Sequence, residues 1–216
     1  MKRVFLIVLD SFGIGAMPDS PAFGDPGVNT LASCATSAKL NIPNMIAAGL
    51  GDLLGKFTCL CDWKLAKIII GEHYCANIVN LTEDCVQNVL AGADKAKDRD
   101  PKVIGEIMEG LVLAGVCMSL AGNSRPASGC EHHMSHFWEL VLEQQGIRPA
   151  PHGIQVGVAT VIMLKAAEIL RNKKPDFVAA KAAAKAYSQE AWEETMRNVY
   201  GKAADGVIAM EAKAKK

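Results

Sequence analysis

From Met45 to the C-terminus, apolar residues recur three and four positions apart, and that spacing closes off most fold classes. It is the period of a single helix face, and it carries through segments near 45–71, 73–92, 101–121, 125–145 and 153–171, then shorter ones at 176–186 and 188–213. Asp100-Pro101 reads as a helix start, because proline fits a first turn whose N–H has no helical partner. Lys174-Pro175-Asp176 marks another boundary. The clear strand signal is Val4-Phe5-Leu6-Ile7-Val8-Leu9, ended by Asp10, and one strand makes no sheet. Residues 11–44 are rich in Gly, Pro, Ser, Asp and Asn and read as loop, with one short helix near Thr30–Ala38. The expected fold class is mainly α: a helical domain over 46–216, preceded by a short strand-and-loop segment over 1–45.

Charge excludes several partners. The chain has 23 basic and 23 acidic residues, so it lacks the broad basic field that nucleic acid or an anionic membrane calls for. Lys213, Lys215 and Lys216 read as a solvated helix end. Met1-Lys2-Arg3 imitates a signal peptide, but the apolar run that follows stops at Asp10, below the length of such a signal core. The apolar stretch from Gly110 to Gly122 is also too short for a membrane span. Seven cysteines (Cys34, Cys59, Cys61, Cys75, Cys85, Cys117, Cys130) include no Cys-x-x-Cys pair, which favours free thiols in a reducing compartment. The expected location is cytoplasmic.

Chemistry concentrates in three places. Asp52 sits in Gly49-Leu50-Gly51-Asp52-Leu53-Leu54-Gly55-Lys56. His132, His133 and His136 sit in a segment beginning Ser124-Arg125-Pro126, and His152 opens a helix after Pro151. His132 and His136 are four apart and share a helix face. Two imidazoles and a carboxylate make a three-ligand set with a free position, which suits Zn²⁺ or Fe²⁺ and leaves room for a substrate oxygen. On spacing alone a polar surface cluster is an equal alternative. His73, beside Tyr74 and Cys75, reads as an ordinary helical residue.

The segments GLGDLLGKFTCLCDWKLAKII, NSRPASGCEHHMSHFWEL and PHGIQVGVAT, continuing through KPDF and VYGKAADGVI, resemble the metal domain of glycerol-1-phosphate dehydrogenases of the iron-containing alcohol dehydrogenase superfamily. The resemblance implies Asp52, His132 and His152 as ligands of one Zn or Fe ion, with His136 lining the substrate pocket. It does not extend to His133, and Cys130 stands where a Ser or Ala is more usual. Arg125 and Lys56 are candidates for the substrate phosphate; pairing with Glu131 or another acid is the alternative. The implied reaction is reversible hydride transfer between dihydroxyacetone phosphate and sn-glycerol 1-phosphate with NAD(P), the metal acting as Lewis acid.

In that family a cofactor domain precedes the metal domain, whereas here about 45 residues do. Phe12-Gly13-Ile14-Gly15-Ala16-Met17-Pro18 does not replace it, because Pro18 takes the third glycine position and loop follows. Residues 1 to about 50 instead resemble the start of a phosphopentomutase, with Asp10 at the position of a Mn²⁺ ligand. The rest of a mutase site is not evident, and no Asp-His dipeptide occurs in the chain. A truncated or fused dehydrogenase is therefore expected, with little turnover and with self-association through an uncovered apolar wall. A mutase identity and a non-catalytic metal-binding domain are the alternatives.

Overall fold

The computed structural model describes residues 43–214, and these are helical with no strand among them. The helices are α1 (Pro43–Leu54), α2 (Lys56–Ile70), α3 (Ala76–Gly92), α4 (Pro101–Ala121), α5 (Cys130–Gln144), α6 (His152–Arg171), α7 (Phe177–Lys185), α8 (Gln189–Tyr200) and α9 (Ala204–Ala214). Short 3₁₀ turns at Ala93–Asp98 and Gly201–Ala203 complete the path. The expected strand at Val4–Leu9, the short helix near Thr30–Ala38 and Asp10 all lie outside the described residues.

Local chemistry sets most boundaries. Asp100 caps α4, its Oδ1 accepting from the backbone N–H of Lys102 (2.9 Å) and Val103 (3.2 Å). Asp176 does the same for α7 through Val178 and Ala179. Three expectations are corrected. The segment 45–71 is two helices parted at Gly55, where a Cβ would press on Val156 Cγ1 and Glu131 Cγ, so no side chain fits. The segment 125–145 becomes helical only at Cys130, because residues 124–129 form a loop tied to α2. The segment 188–213 breaks at Gly201, whose φ of 51° disfavours any other residue. His73 is also not helical: it lies before α3, and its carbonyl accepts from the buried Trp63 indole at 2.7 Å.

Two apolar cores hold the bundle. Leu53, Val86, Val89, Ala96, Val103 and Ile107 join α1, α3 and α4, with Ile46, Leu50 and Leu54 packed against them. Cys59, Leu60, Trp63, Ile78, Val79 and Cys117 join α2, α3 and α4, and Trp63 meets the Tyr74 ring at 5.2 Å. By length and composition α4 and α6 could each cross a bilayer. In this fold α4 buries Val103, Ile104, Ile107, Gly110, Ala114 and Cys117, one stripe facing protein. Outward-facing apolar residues remain on α2 (Ile68, Ile69, Ile70), α4 (Val112, Val116) and α6 (Val161, Leu164).

The contact that positions the chemistry is the crossing of α1 and α6. A Cβ on Gly51 would overlap the Gly153 carbonyl, and one on Gly153 would overlap the Ala48 carbonyl. At Gly157 a Cβ would come within 3.1 Å of Gly51 Cα. Without side chains between them the two backbones touch. Asp52 follows Gly51 and His152 precedes Gly153, so this crossing sets a carboxylate from one helix beside an imidazole from the other.

Candidate metal centre

Helix α5 brings the third member. It packs on α6 and presents His132 toward Asp52, with Nε2 3.1 Å from Oδ1. A ligand nitrogen or oxygen from each of Asp52, His132 and His152 lies within 4.8 Å of the others. The His132 and His152 rings are 5.2 Å apart.

The surroundings fix which atoms point inward. Glu131 is fully buried and accepts from the Thr58 hydroxyl (2.5 Å), the Gly129 N–H (2.8 Å) and His132 Nδ1 (2.7 Å), with a long contact from the Cys130 thiol (3.9 Å). Burial pushes its carboxyl pKa up, but the hydrogen bonds from His132 and Thr58 outweigh that and hold it below the ordinary value. An ionised carboxylate only accepts, so Nδ1 of His132 carries a proton; Nε2 likewise donates to Asp52 Oδ1 here, and a metal would take the place of that Nε2 proton. His152 repeats the arrangement: its Nδ1 lies 2.9 Å from Glu139 Oε1 and 3.2 Å from Ser135 Oγ. Burial would raise the Glu139 carboxyl, yet hydrogen bonds from His152 and His136 bring it down.

Asp52 is held on its other oxygen. Lys56 Nζ donates to Oδ2 at 3.1 Å and to the Ala127 carbonyl at 2.9 Å. Burial works against the Asp52 charge, but the His132 hydrogen bond and the Lys56 ammonium win, lowering its pKa to about 2. His132 moves the opposite way: burial lowers it, and hydrogen bonds to Asp52 and Glu131 raise it net.

Asp52, His132 and His152 are thus brought together, and His136 stacks on His152 at 5.1 Å with 22° between ring planes. His133 is exposed. Lys56, expected at the substrate phosphate, is 1% exposed and committed to Asp52 and Ala127. Arg125 pairs with Glu72 rather than Glu131, its Nε at 2.8 Å and Nη2 at 2.6 Å, so the guanidinium is drawn to the far end of α2 from Lys56. Sequence reasoning missed Glu131, Glu139, Ser135 and Thr58. A signal for two of them was present: His132, Ser135, His136 and Glu139 follow at spacings of 3, 1 and 3, one polar stripe down α5.

The donor set fits a divalent transition metal. Two ligand atoms on a tetrahedral ion with bonds of about 2.0–2.1 Å stand about 3.3 Å apart, close to the observed 3.1 Å. Both imidazoles also have the carboxylate partner that metal-binding histidines usually carry.

No family model matches the chain. Curated proteins do. It is 36% identical to the glycerol-1-phosphate dehydrogenase [NAD(P)+] of Bacillus licheniformis over 186 residues, 83% of this chain and 43% of that protein. It is 40% identical to the proteins of that name from Geobacillus stearothermophilus over 121 residues and Pyrococcus furiosus over 118. Those matches cover 56% and 55% of this chain, and 30% and 33% of the respective relatives. This chain is similar to glycerol-1-phosphate dehydrogenases. It spans less than half the length of these curated relatives.

Proposed function

We propose that this chain is the helical, metal-holding part of an NAD(P)-dependent glycerol-1-phosphate dehydrogenase, a protein that interconverts dihydroxyacetone phosphate and sn-glycerol 1-phosphate. The observation that carries the reading is the convergence of Asp52, His132 and His152 in a chain 36–40% identical to proteins of that name.

A Zn²⁺ or Fe²⁺ ion held by these three residues would supply Lewis acidity to a carbonyl or alkoxide oxygen. The chain's own residues do the rest. Glu131 and Glu139 hold protons on the Nδ1 atoms and so aim the two imidazoles. Lys56 offsets the Asp52 charge and turns Oδ1 toward His132. His136, on the open side of His152, places a hydrogen-bonding group beside a bound hydroxy-ketone. Arg125, paired with Glu72 at the end of α2 away from Asp52, has no part at the substrate in this reading. Lys56 belongs to Asp52 in this reading.

Calorimetric titration with dihydroxyacetone phosphate tests it. The zinc-loaded protein binds the ligand, and stripping the metal or introducing His152→Ala removes the heat. Binding indifferent to both changes would sink the reading. Oxidation of NADH or NADPH on adding the same substrate measures turnover directly.

A further inference from the structure

We propose that His136, Glu139 and His152 form an outer divalent-metal site that captures the ion before it reaches Asp52, His132 and His152. Glu139 sits between two imidazoles, with Oε2 3.1 Å from His136 Nδ1 and Oε1 2.9 Å from His152 Nδ1. A ligand atom from each of the three lies within 4.8 Å of the others, the same closeness as in the inner set. The donors are again two imidazole nitrogens and a carboxylate oxygen, the chemistry of a Zn²⁺-class ion rather than of Mg²⁺ or Ca²⁺. Separations near 3 Å match the spacing of two atoms on one ion. His136 and Glu139 stand one turn apart on α5, so a single rigid helix presents both.

Depth orders the two sites. The outer set includes His136, whose side chain is 61% exposed, whereas His132 of the inner set is 9% exposed. An ion arriving from solvent therefore meets the outer trio first.

The sites exclude each other. A neutral imidazole has one lone pair free for a metal, so His152 serves either the outer ion through Nδ1 or the inner ion through Nε2. In the outer state the ring proton sits on Nε2. As the ion moves inward that proton leaves Nε2, and Nδ1 takes one up through water and donates it to Glu139, the arrangement observed here. One ion per chain is the stoichiometry throughout. The delivery role rests on the metal centre of the preceding section, whereas binding at the outer trio needs neither Asp52 nor His132.

The test uses Zn²⁺ alone, titrated into the full chain by calorimetry, with far-ultraviolet circular dichroism to establish that each variant is folded. Asp52→Asn and His132→Ala are expected to retain one ion per chain, bound about 10–100-fold more weakly. Adding His136→Ala or Glu139→Gln to either should abolish that residual binding. In the otherwise native chain, His136→Ala should keep one ion and slow its uptake in stopped-flow mixing with a zinc dye; Glu139→Gln should slow it as well and also weaken the inner ion about 10–100-fold, because Glu139 aims His152. Folded Asp52→Asn and His132→Ala proteins that bind no zinc would overturn the outer site and leave Glu139 as a partner of His152 only. So would residual binding that survives His136→Ala and Glu139→Gln, or uptake that neither variant slows. Failure of the inner centre looks different: zinc binding in the native chain would then be insensitive to Asp52→Asn and His132→Ala.

Discussion

Replacing Gly153 with alanine places a methyl group where the Ala48 carbonyl of α1 already sits. Both contacting groups are backbone, so no rotamer change relieves the overlap, and the helices must part by on the order of 1 Å. Alanine gains about 0.8–1 kcal/mol of helix propensity over glycine. Overpacking against backbone costs about 1–3 kcal/mol and more where several contacts shift together. Gly51 and Gly157 share the same crossing, so the upper end of that range applies and the net loss is about 2 kcal/mol. The larger consequence is chemical. His152 precedes Gly153, metal–ligand distances hold to about 0.2 Å, and a shift of about 1 Å takes the imidazole out of reach. Zinc affinity should fall at least about tenfold. Gly115→Ala on α4 is the control: its Cβ meets nothing within 4 Å, so it should stabilise by about 0.5–1 kcal/mol and leave zinc binding alone. Urea unfolding and competition with a chelator read both quantities. Equal urea midpoints and equal zinc affinities for Gly153→Ala and Gly115→Ala would refute the close crossing as the device that sets the ligands.

Three further outcomes are expected. Glu131→Gln cannot accept from Thr58, Gly129 and His132 together, so zinc affinity measured by chelator competition should drop about 10–100-fold with helicity retained; unchanged affinity would remove Glu131 from the centre. Lys56→Met strands the Asp52 carboxylate and the Ala127 carbonyl, at a cost near the lower end of the 3–5 kcal/mol typical of a broken buried pair, about 3 kcal/mol, because Asp52 keeps 23% side-chain exposure. A urea midpoint equal to that of the parent would count against that pairing. In alkylation of the native protein followed by mass spectrometry, exposed Cys61 should react early. Cys59, buried and with its thiol pKa pushed well up by that burial, should react only after unfolding. Early labelling of Cys59 would contradict the packing of α2.

What the sequence made legible follows from how local each signal is. The bounds of α4 were readable because Asp100-Pro101 is a cap in itself, satisfied by the two N–H groups that follow it. The break at Gly55 was not readable. Gly55 keeps helical dihedrals, and the space a Cβ would need there is taken by Val156 and Glu131, about a hundred residues and 76 residues on, neighbours that no local pattern encodes. The late start of α5 has the same cause: Lys56 and Asp62 on α2 hold the Ala127 carbonyl and the Cys130 N–H. In the site, Asp52, His132 and His152 were picked out by the resemblance of the motifs that carry them, while their spacing alone left a polar surface cluster as an equal alternative. Glu131 and Glu139 were not, since a glutamate on a helix is usually a solvated face. Arg125 and Lys56 were read for their charge, and only the fold reveals that Glu72 and Asp52 already use it.

Elemental analysis of the purified chain beside Asp52→Asn, His132→Ala and His152→Ala, dialysed against a weak chelator, bears most directly on the metal centre. About one Zn or Fe per chain in the parent, lost from His152→Ala and depleted in the other two, is the expected result. A parent that holds no metal, or metal that survives all three substitutions, would contradict it.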